Sequence, residues 1–270
     1  MDIYNARVKT KQNILLDGLD LKVQSDTCVV YVPGLAGKFD NLGKIVALFC
    51  KNNKINFIWA RTQSCFIETE VIKINENKAI KVPSGAEYDN FDNSIYDVSA
   101  WAKYALQKHK KLVFIGHCYG CNKITYFLSQ FHSEKFKECI FIAPADFFNI
   151  FTDPRHYGLL EEAIKNVKAQ QPNKILSRTV LGFCPMTSAA FLRMGYNPRL
   201  NNIPYVSNGN FSQLNNINLH LSIIIGSKDR GLGKDVSDDT AEKYIKNIAN
   251  SYKNTTYYLS LIHISEPTRH

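Results

Sequence analysis

The sequence predicts an α/β fold in which a mostly parallel central sheet carries helices on both faces. Three short apolar runs, at residues 27–32, 138–143 and 219–225, are typical of strands that are buried on both sides. Segments with helical periodicity separate such runs along most of the chain, and this alternation favours a parallel sheet. In sheets of this kind, functional groups lie beyond the carboxyl ends of the strands.

The first part of the chain predicts an edge hairpin and the start of the central sheet. Apolar and polar residues alternate at 3–10 and 14–23, which indicates two antiparallel strands. After the first buried strand we expect a helix from about 41 to 51 and a strand at 54–59. The segment 61–90 is polar and punctuated by turn residues, so we interpret it as a loop.

The second half of the chain predicts helices around a long insertion. Apolar residues recur at spacings of three and four between 90 and 109, which predicts an amphipathic helix. Residues 147–218 lose the alternation of strands and helices, apart from helices near 158–169 and 187–194. An insertion of this length after a buried strand is typical of a cap over a site. We expect a further helix from about 238 to 250.

The segment 111–121 joins a strand, a glycine-flanked thiol and the start of a helix. Its sequence, KLVFIGHCYGC, has the order that a nucleophile elbow requires. We expect glycine at Gly116 and Gly120 because the turn leaves no room for a Cβ atom. The apex, Cys118, would then have a strained backbone that lifts its side chain clear of the sheet. The alternative is a small thiol buried in the core, which is common for free cysteine.

A nucleophile of this kind needs oxyanion donors, an acid and a base. The predicted donors are the backbone N–H groups of Tyr119 and of Leu35, unless the loop at 33–37 is a plain strand-to-helix turn. Asp229 is the predicted acid because it follows a buried strand and comes after the nucleophile. The alternative for Asp229 is a solvated turn residue, and Asp146 is a weaker substitute.

The base is missing from the expected position. The order nucleophile, acid, histidine requires a histidine after Asp229, and His117, beside the apex, should point away from the thiol. His263 falls near the required place, but residues 259–269 resemble the in-frame translation of a sequencing adapter. We therefore expect 259–270 to be an artefactual tail that replaces the native C-terminus and its histidine. The other histidines before the tail sit at helix ends, at the far end of a strand or in the insertion: His109, His132, His156 and His220.

Four segments of the chain carry a family resemblance: VPGLAG at 32–37, GAEYDNFDNSIYD at 85–97 with the following Ala100 and Trp101, GHCYGCNK at 116–123, and GSKD at 226–229. Together they resemble a family of α/β-hydrolases, the domain of unknown function 1749 and its bacterial relatives. The resemblance covers nearly the whole chain to about residue 258. It implies the α/β-hydrolase fold, with the nucleophile on Cys118, the acid on Asp229, and oxyanion donors at Tyr119 and near Leu35.

Two departures from that family bear on the activity. The family elbow usually carries serine at the apex, where this chain has Cys118, and the histidine near the C-terminus is absent. We expect a core at 1–146 and 219–258, with a cap or lid at 147–218. A thioester acyl-enzyme still needs a base for its hydrolysis, so this chain is expected to be an impaired enzyme.

The sequence therefore predicts a hydrolase of a carboxylic ester, thioester or lactone that works through an acyl-enzyme on Cys118. Two alternatives stay open. One is a catalytically inactive binding protein with the same fold. The other is a redox role, because Cys118 and Cys121 form a C-x-x-C motif at the start of a helix.

Composition limits the other function classes. The net charge of +9 comes from dispersed lysines without an aromatic platform, so we expect no nucleic acid partner. No apolar run is long enough for a membrane span. The N-terminus lacks a signal core, and seven cysteines, an odd number, favour free thiols in the cytoplasm. We expect a small acyl substrate, no cofactor and no metal; the oligomeric state is not predicted.

Overall fold

The computed structural model describes residues 2–76, 78–205, 209–227, 229, 238–252 and 254–260. The strands are β1 (Asp2–Lys9), β2 (Ile14–Lys22), β3 (Thr27–Val32), β4 (Asn56–Trp59), β5 (Thr69–Asn75), β6 (Lys78–Ser84), β7 (Lys111–His117), β8 (Phe136–Ile142), β9 (His220–Gly226) and β10 (Thr255–Ser260). The helices are α1 (Asn41–Asn52), α2 (Ser94–Leu106), α3 (Tyr119–Leu128), α4 (Phe147–Phe151), α5 (Tyr157–Lys168), α6 (Ser188–Gly195), α7 (Ser212–Asn215) and α8 (Asp238–Ser251).

These strands form one mixed sheet in the order β10-β9-β8-β7-β3-β4-β2-β5-β6, with β1 paired to β2. The run from β10 to β4 is parallel throughout. The pairs that involve β1, β2, β5 and β6 are antiparallel. The predicted α/β fold with a mostly parallel sheet is therefore confirmed, and so is the hairpin at the start of the chain. The last strand, β10, includes Leu259 and Ser260, the first residues of the tail expected at 259–270.

The expectation of a loop at 61–90 is wrong, because β5 and β6 form a hairpin there. This hairpin extends the sheet through the pairing of Lys73 with Ile14 and of Ile72 with Leu15. Most of its side chains are at least partly exposed, since the hairpin lies at the sheet edge. An edge strand tolerates polar residues and also proline, which explains Pro83 within β6. The polar composition thus marked an exposed hairpin rather than irregular chain.

The sheet separates two apolar clusters, each covered by helices. Alternate residues of β7 point to opposite faces, so Phe114 lies in the larger cluster and Ile115 in the smaller one. The larger cluster packs against α2, α3 and α8, whereas α1 covers the smaller one through Val46 and its neighbours. The predicted helices on both faces are present.

The insertion between β8 and β9 packs against the helix that follows β7. Its two longer helices, α5 and α6, lie where the sequence predicts them, and the short helices α4 and α7 add to them. The ring of Phe147 in α4 contacts the ring of Tyr119 in α3, with centroids 4.7 Å apart. Phe151 then packs on Phe191 of α6 at 5.5 Å. Aromatic contacts thus connect the insertion to the start of α3.

Within the described residues, no helix combines the length and the hydropathy that a bilayer crossing requires.

The junction of β7 and α3 is packed too tightly for side chains at two positions. A Cβ atom on Gly120 would overlap the carbonyl oxygen of Val32, at the end of β3. A Cβ atom on Gly116 would lie 2.8 Å from the Cα atom of Cys121. Neither neighbour is a flexible side chain, so the backbone itself would have to move. The close approach expected of both glycines is therefore present.

We expect Gly120→Ala to lower the free energy of unfolding by roughly 2–4 kcal/mol, because it forces β3 and α3 apart. Gly158→Ala in α5 is the matched control, since the nearest atom to its new Cβ is the Arg178 guanidinium at 3.6 Å. Urea unfolding of both variants measures the difference. Equal stabilities of the two variants would contradict this packing argument.

Candidate active site

Cys118 is the single residue that connects β7 to α3, at the apex of the turn. Its backbone has φ 50° and ψ −120°, a conformation that a side chain with a Cβ adopts at a cost. Cys118 is partly exposed, whereas the other six cysteines are buried. Cys118 is thus more accessible than the other cysteines, although apolar side chains of the larger cluster pack against it and surround its sulfur. The turn has the geometry of a nucleophile elbow.

Two backbone amides lie near the Cys118 sulfur. The N–H groups of Tyr119 and Leu35 both lower the pKa of the thiol, because they stabilise the thiolate. Tyr119 is the first residue of α3, and Leu35 belongs to the loop after β3. That loop passes beside the elbow: a Cβ atom on Gly34 would lie 3.7 Å from the sulfur. These are the two amides that the sequence predicts as oxyanion donors.

Asp229 lies close enough to the thiol for its charge to act there. It raises the pKa of Cys118, although burial is the larger cause of that rise. The residue is only 3% exposed, and its backbone N–H donates to the Gly226 carbonyl at 3.0 Å, at the end of β9. Asp229 is thus buried at a strand exit, unlike the solvated turn aspartate of the alternative interpretation.

Burial keeps the Cys118 thiol protonated. It raises the pKa of the thiol from its ordinary value of 9.0 to about 12, and the charge of Asp229 acts in the same direction. The amides of Tyr119 and Leu35 oppose this shift without cancelling it. The thiolate is the nucleophilic form of cysteine, so at neutral pH an attack by this sulfur would require a base that removes its proton.

His117 faces away from the thiol. It shares the strand face of Ile115, in the smaller apolar cluster, whereas Cys118 packs against the larger one. Burial lowers the pKa of His117, and the charges of Asp40, the N-cap of α1, and Asp229 partly offset this. His117 therefore belongs to the side of the sheet that α1 covers, as the alternation along β7 predicts.

None of the other described histidines is identified beside the thiol. His263 and His270 lie outside the described residues. The others are His109, 3.4 Å from the Asn56 amide nitrogen, His156, 3.0 Å from the Ile150 carbonyl, His220, 3.0 Å from the Asn254 side-chain oxygen, and the exposed His132. The base that the chemistry requires is thus not identified in the described part of the chain.

Asp146, the weaker candidate for the acid, has a structural role. Its carboxylate caps α4 by accepting the Asn149 backbone N–H at 3.2 Å and the Asn149 side-chain amide at 2.6 Å. It also accepts the backbone N–H of Tyr205 at 3.2 Å. These bonds hold the insertion against the end of β8.

Cys121 is turned toward the core. Its thiol is buried and donates to the carbonyl oxygen of Ile142, at the end of β8, over 3.7 Å. Burial raises its pKa well above the ordinary value, and the neighbouring Cys118 adds to the rise. A buried, protonated thiol is a poor partner for thiol exchange. The redox alternative therefore receives no support from the environment of Cys121.

Tyr205 is a residue near the site that the sequence did not indicate. It is buried, and its hydroxyl donates to the carbonyl oxygen of Pro144. Burial raises its pKa well above the ordinary value, and the charges of Asp229 and Cys118 contribute. Tyr205 lies in an irregular stretch of the insertion, where no periodic or motif signal marks single residues.

Metal chemistry finds no support in the part of the chain that the structure describes. No cluster of three or more histidine, cysteine, aspartate or glutamate side chains is arranged there to hold an ion.

The fold, but not the sequence, matches known proteins. No family model and no curated protein matches the sequence. The chain is similar in structure to the esterase Pf2001 of Pyrococcus furiosus, with 16% identity and a TM-score of 0.57 over 97% of this chain and 83% of that one. It is also similar to the α/β-hydrolase GrgF from Penicillium sp. sh18, with 9% identity and a TM-score of 0.67 over 98% and 91%. A third similar structure is an α/β-hydrolase fold protein of unknown function, with 13% identity and a TM-score of 0.62 over 98% and 88%. The chain therefore has the α/β-hydrolase fold.

We expect the alkylation of Cys118 by iodoacetamide to accelerate by about tenfold per pH unit from pH 7 to 10, because the thiol pKa lies higher. Asp229→Asn removes a negative charge that raises this pKa, so the alkylation rate of this variant should rise at lower pH than the wild-type rate does. Mass spectrometry of the modified peptide measures the rate, with Cys118→Ala as the blank. A plateau near neutral pH, or a curve for Asp229→Asn at higher pH, would contradict the electrostatics described above.

Proposed function

We propose that this protein hydrolyses a carboxylic ester, thioester or lactone through an acyl-enzyme on Cys118. The observation that carries the proposal is the sharp turn that places Cys118 at its apex, beside the loop of Gly34 and Leu35 and at the start of α3. The Tyr119 and Leu35 amides are near enough to lower the pKa of the thiol. Donors in this arrangement stabilise the oxygen that becomes negative when a carbonyl carbon is attacked. The esterases and hydrolases with the same fold support this reaction class.

The proposed reaction has two steps. The Cys118 sulfur attacks the carbonyl carbon as a base removes the thiol proton, and the N–H groups of Leu35 and Tyr119 receive the oxyanion. The tetrahedral species collapses, the alcohol or thiol leaves with a proton, and a thioester remains on Cys118. Water activated by the same base then hydrolyses that thioester. Asp229 serves as the acid that orients the base and stabilises its positive charge.

The insertion is the proposed determinant of substrate choice. We assign residues 147–218 to a cap and residues 1–146 with 219–258 to the catalytic core. The contact between Phe147 and Tyr119 supports this division, because it packs the insertion against the first residue of α3. We further propose that the chain belongs to the domain of unknown function 1749 group and acts in the cytoplasm, which the free, mostly buried cysteines support.

A second candidate is a binding protein that keeps the site without turnover. The thiol pKa of about 12 favours it, because a protonated sulfur reacts slowly and no base is identified beside it among the described residues. The two candidates differ in one measurable event, the acylation of Cys118.

We expect Cys118→Ala to lower the turnover of p-nitrophenyl acetate by at least about a hundredfold, because it removes the nucleophile. Cys50→Ala is the matched control: Cys50 is buried in α1, on the opposite face of the sheet, and should keep the wild-type rate. Release of p-nitrophenolate measures turnover, and mass spectrometry of the quenched protein locates the acetyl group.

The outcomes separate the two candidates. Measurable turnover that is equal in Cys118→Ala and wild type, or an acetyl group on another residue, would overturn the assignment of the nucleophile. A wild-type protein that binds an acyl ester but never becomes acylated at Cys118 would favour the binding protein.

A further inference from the structure

Lys123 is a buried cation on the elbow helix. It lies in α3, five positions after Cys118, and is 1% exposed. A buried ammonium group is costly unless hydrogen bonds and opposite charges compensate it. Lys123 is absent from the reaction steps above, so its burial has another explanation.

The Lys123 ammonium reaches across to the turn at 62–66. It donates to the Thr62 hydroxyl at 2.7 Å and to the Ser64 hydroxyl. Its nitrogen also lies 4.7 Å from the centroid of the Tyr119 ring. Lys123 therefore connects the helix that begins at the oxyanion donor Tyr119 with a separate segment of the chain.

Two buried carboxylates balance this charge. Burial raises the pKa of Asp89 and the pKa of Asp97, and the positive charge of Lys123 lowers both values. Asp89 accepts the Tyr119 hydroxyl at 2.7 Å. Asp97 accepts the backbone and the side-chain N–H of Gln63, each at 2.8 Å, and so holds the same turn from α2.

The turn at 62–66 also supports the loop that carries Leu35. The Ala36 N–H donates to the Ser64 carbonyl at 3.0 Å. The Phe66 N–H donates to the Gly37 carbonyl at 3.3 Å. Ala36 has a positive φ of 56°, so these bonds hold a conformation that alanine alone disfavours. The direction of the Leu35 N–H thus depends on the turn that Lys123 contacts.

We propose that Lys123 is a positioning residue that fixes the two oxyanion donors relative to each other. Its ammonium holds the 62–66 turn against α3, and this turn holds the loop that presents the Leu35 N–H opposite the Tyr119 N–H. The inference rests on the proposed function, because it assigns a purpose to those two amides. The competing explanation is that Lys123 only neutralises Asp89 and Asp97.

Ser64→Ala tests the connection without removing the charge. It deletes one acceptor of Lys123 and leaves the contact with Thr62. Ser94→Ala is the matched control, since Ser94 is also buried and its hydroxyl has no hydrogen-bond partner among the described residues. Lys123→Met is the stronger variant, and Ser64→Ala keeps the test valid if Lys123→Met fails to fold.

The decisive measurement is the ratio of two reactions at Cys118. Acylation by p-nitrophenyl acetate develops an oxyanion, whereas alkylation by iodoacetamide does not. We expect Ser64→Ala to slow acylation by roughly tenfold and Lys123→Met by roughly a hundredfold, with alkylation within about twofold of Ser94→Ala. Equal acylation rates in Ser64→Ala and Ser94→Ala, or equal losses of both reactions, would overturn the positioning role.

Amide hydrogen exchange separates this inference from the proposed function. If wild-type Cys118 is never acylated, the hydrolase proposal fails, and exchange at Leu35 and Ala36 then decides the role of Lys123. Exchange at least about fivefold faster in Ser64→Ala than in Ser94→Ala supports the positioning role. Equal exchange in the two variants would overturn it.

Discussion

The close approach of the ends of β3 and β7 is the constraint on which the site depends. Gly120 packs directly on the Val32 carbonyl, and the loop after β3 runs beside the elbow at Gly34. No side chain fits between these segments, so the backbone must turn sharply at Cys118 and adopt a positive φ. The same approach brings the Tyr119 and Leu35 amides close to one sulfur, where both lower the pKa of the thiol. Packing of main chain against main chain thus produces the electrostatic arrangement of the site.

Burial strengthens the hydrogen bonds that the backbone amides of the site can donate, and it also limits the reactivity of the Cys118 thiol. A low-dielectric environment strengthens the hydrogen bonds to a developing oxyanion, but it equally disfavours the Cys118 thiolate. The negative charge of Asp229 deepens this effect, and the two amides offset only part of it. An acid beside the nucleophile is useful only when a base between them becomes positive during the reaction. The proposed hydrolysis therefore needs a base that becomes positive between Cys118 and Asp229.

The turn at Cys118 and the places of the Leu35 loop and of Asp229 at strand ends could be predicted because each has a local signal, whereas their catalytic roles stay predictions. Gly116 and Gly120 flank Cys118 at fixed spacing, and Asp229 directly follows a buried strand. The hairpin of β5 and β6 was missed because its exposed faces have the composition of a loop. The contact of Lys123 with Thr62 could not be predicted, since it joins residues 61 positions apart that only the packing of the sheet brings together. A lysine in a helix is also expected at the surface, and its burial becomes visible only in three dimensions.

A crystal structure of the protein treated with an aldehyde inhibitor would test the central claim most directly. The Cys118 sulfur should add to the carbonyl carbon and form a hemithioacetal whose oxygen imitates the oxyanion. The account predicts that this oxygen lies about 2.7–3.1 Å from the nitrogens of both Leu35 and Tyr119. A hemithioacetal oxygen that points to solvent, or an adduct on another cysteine, would contradict it.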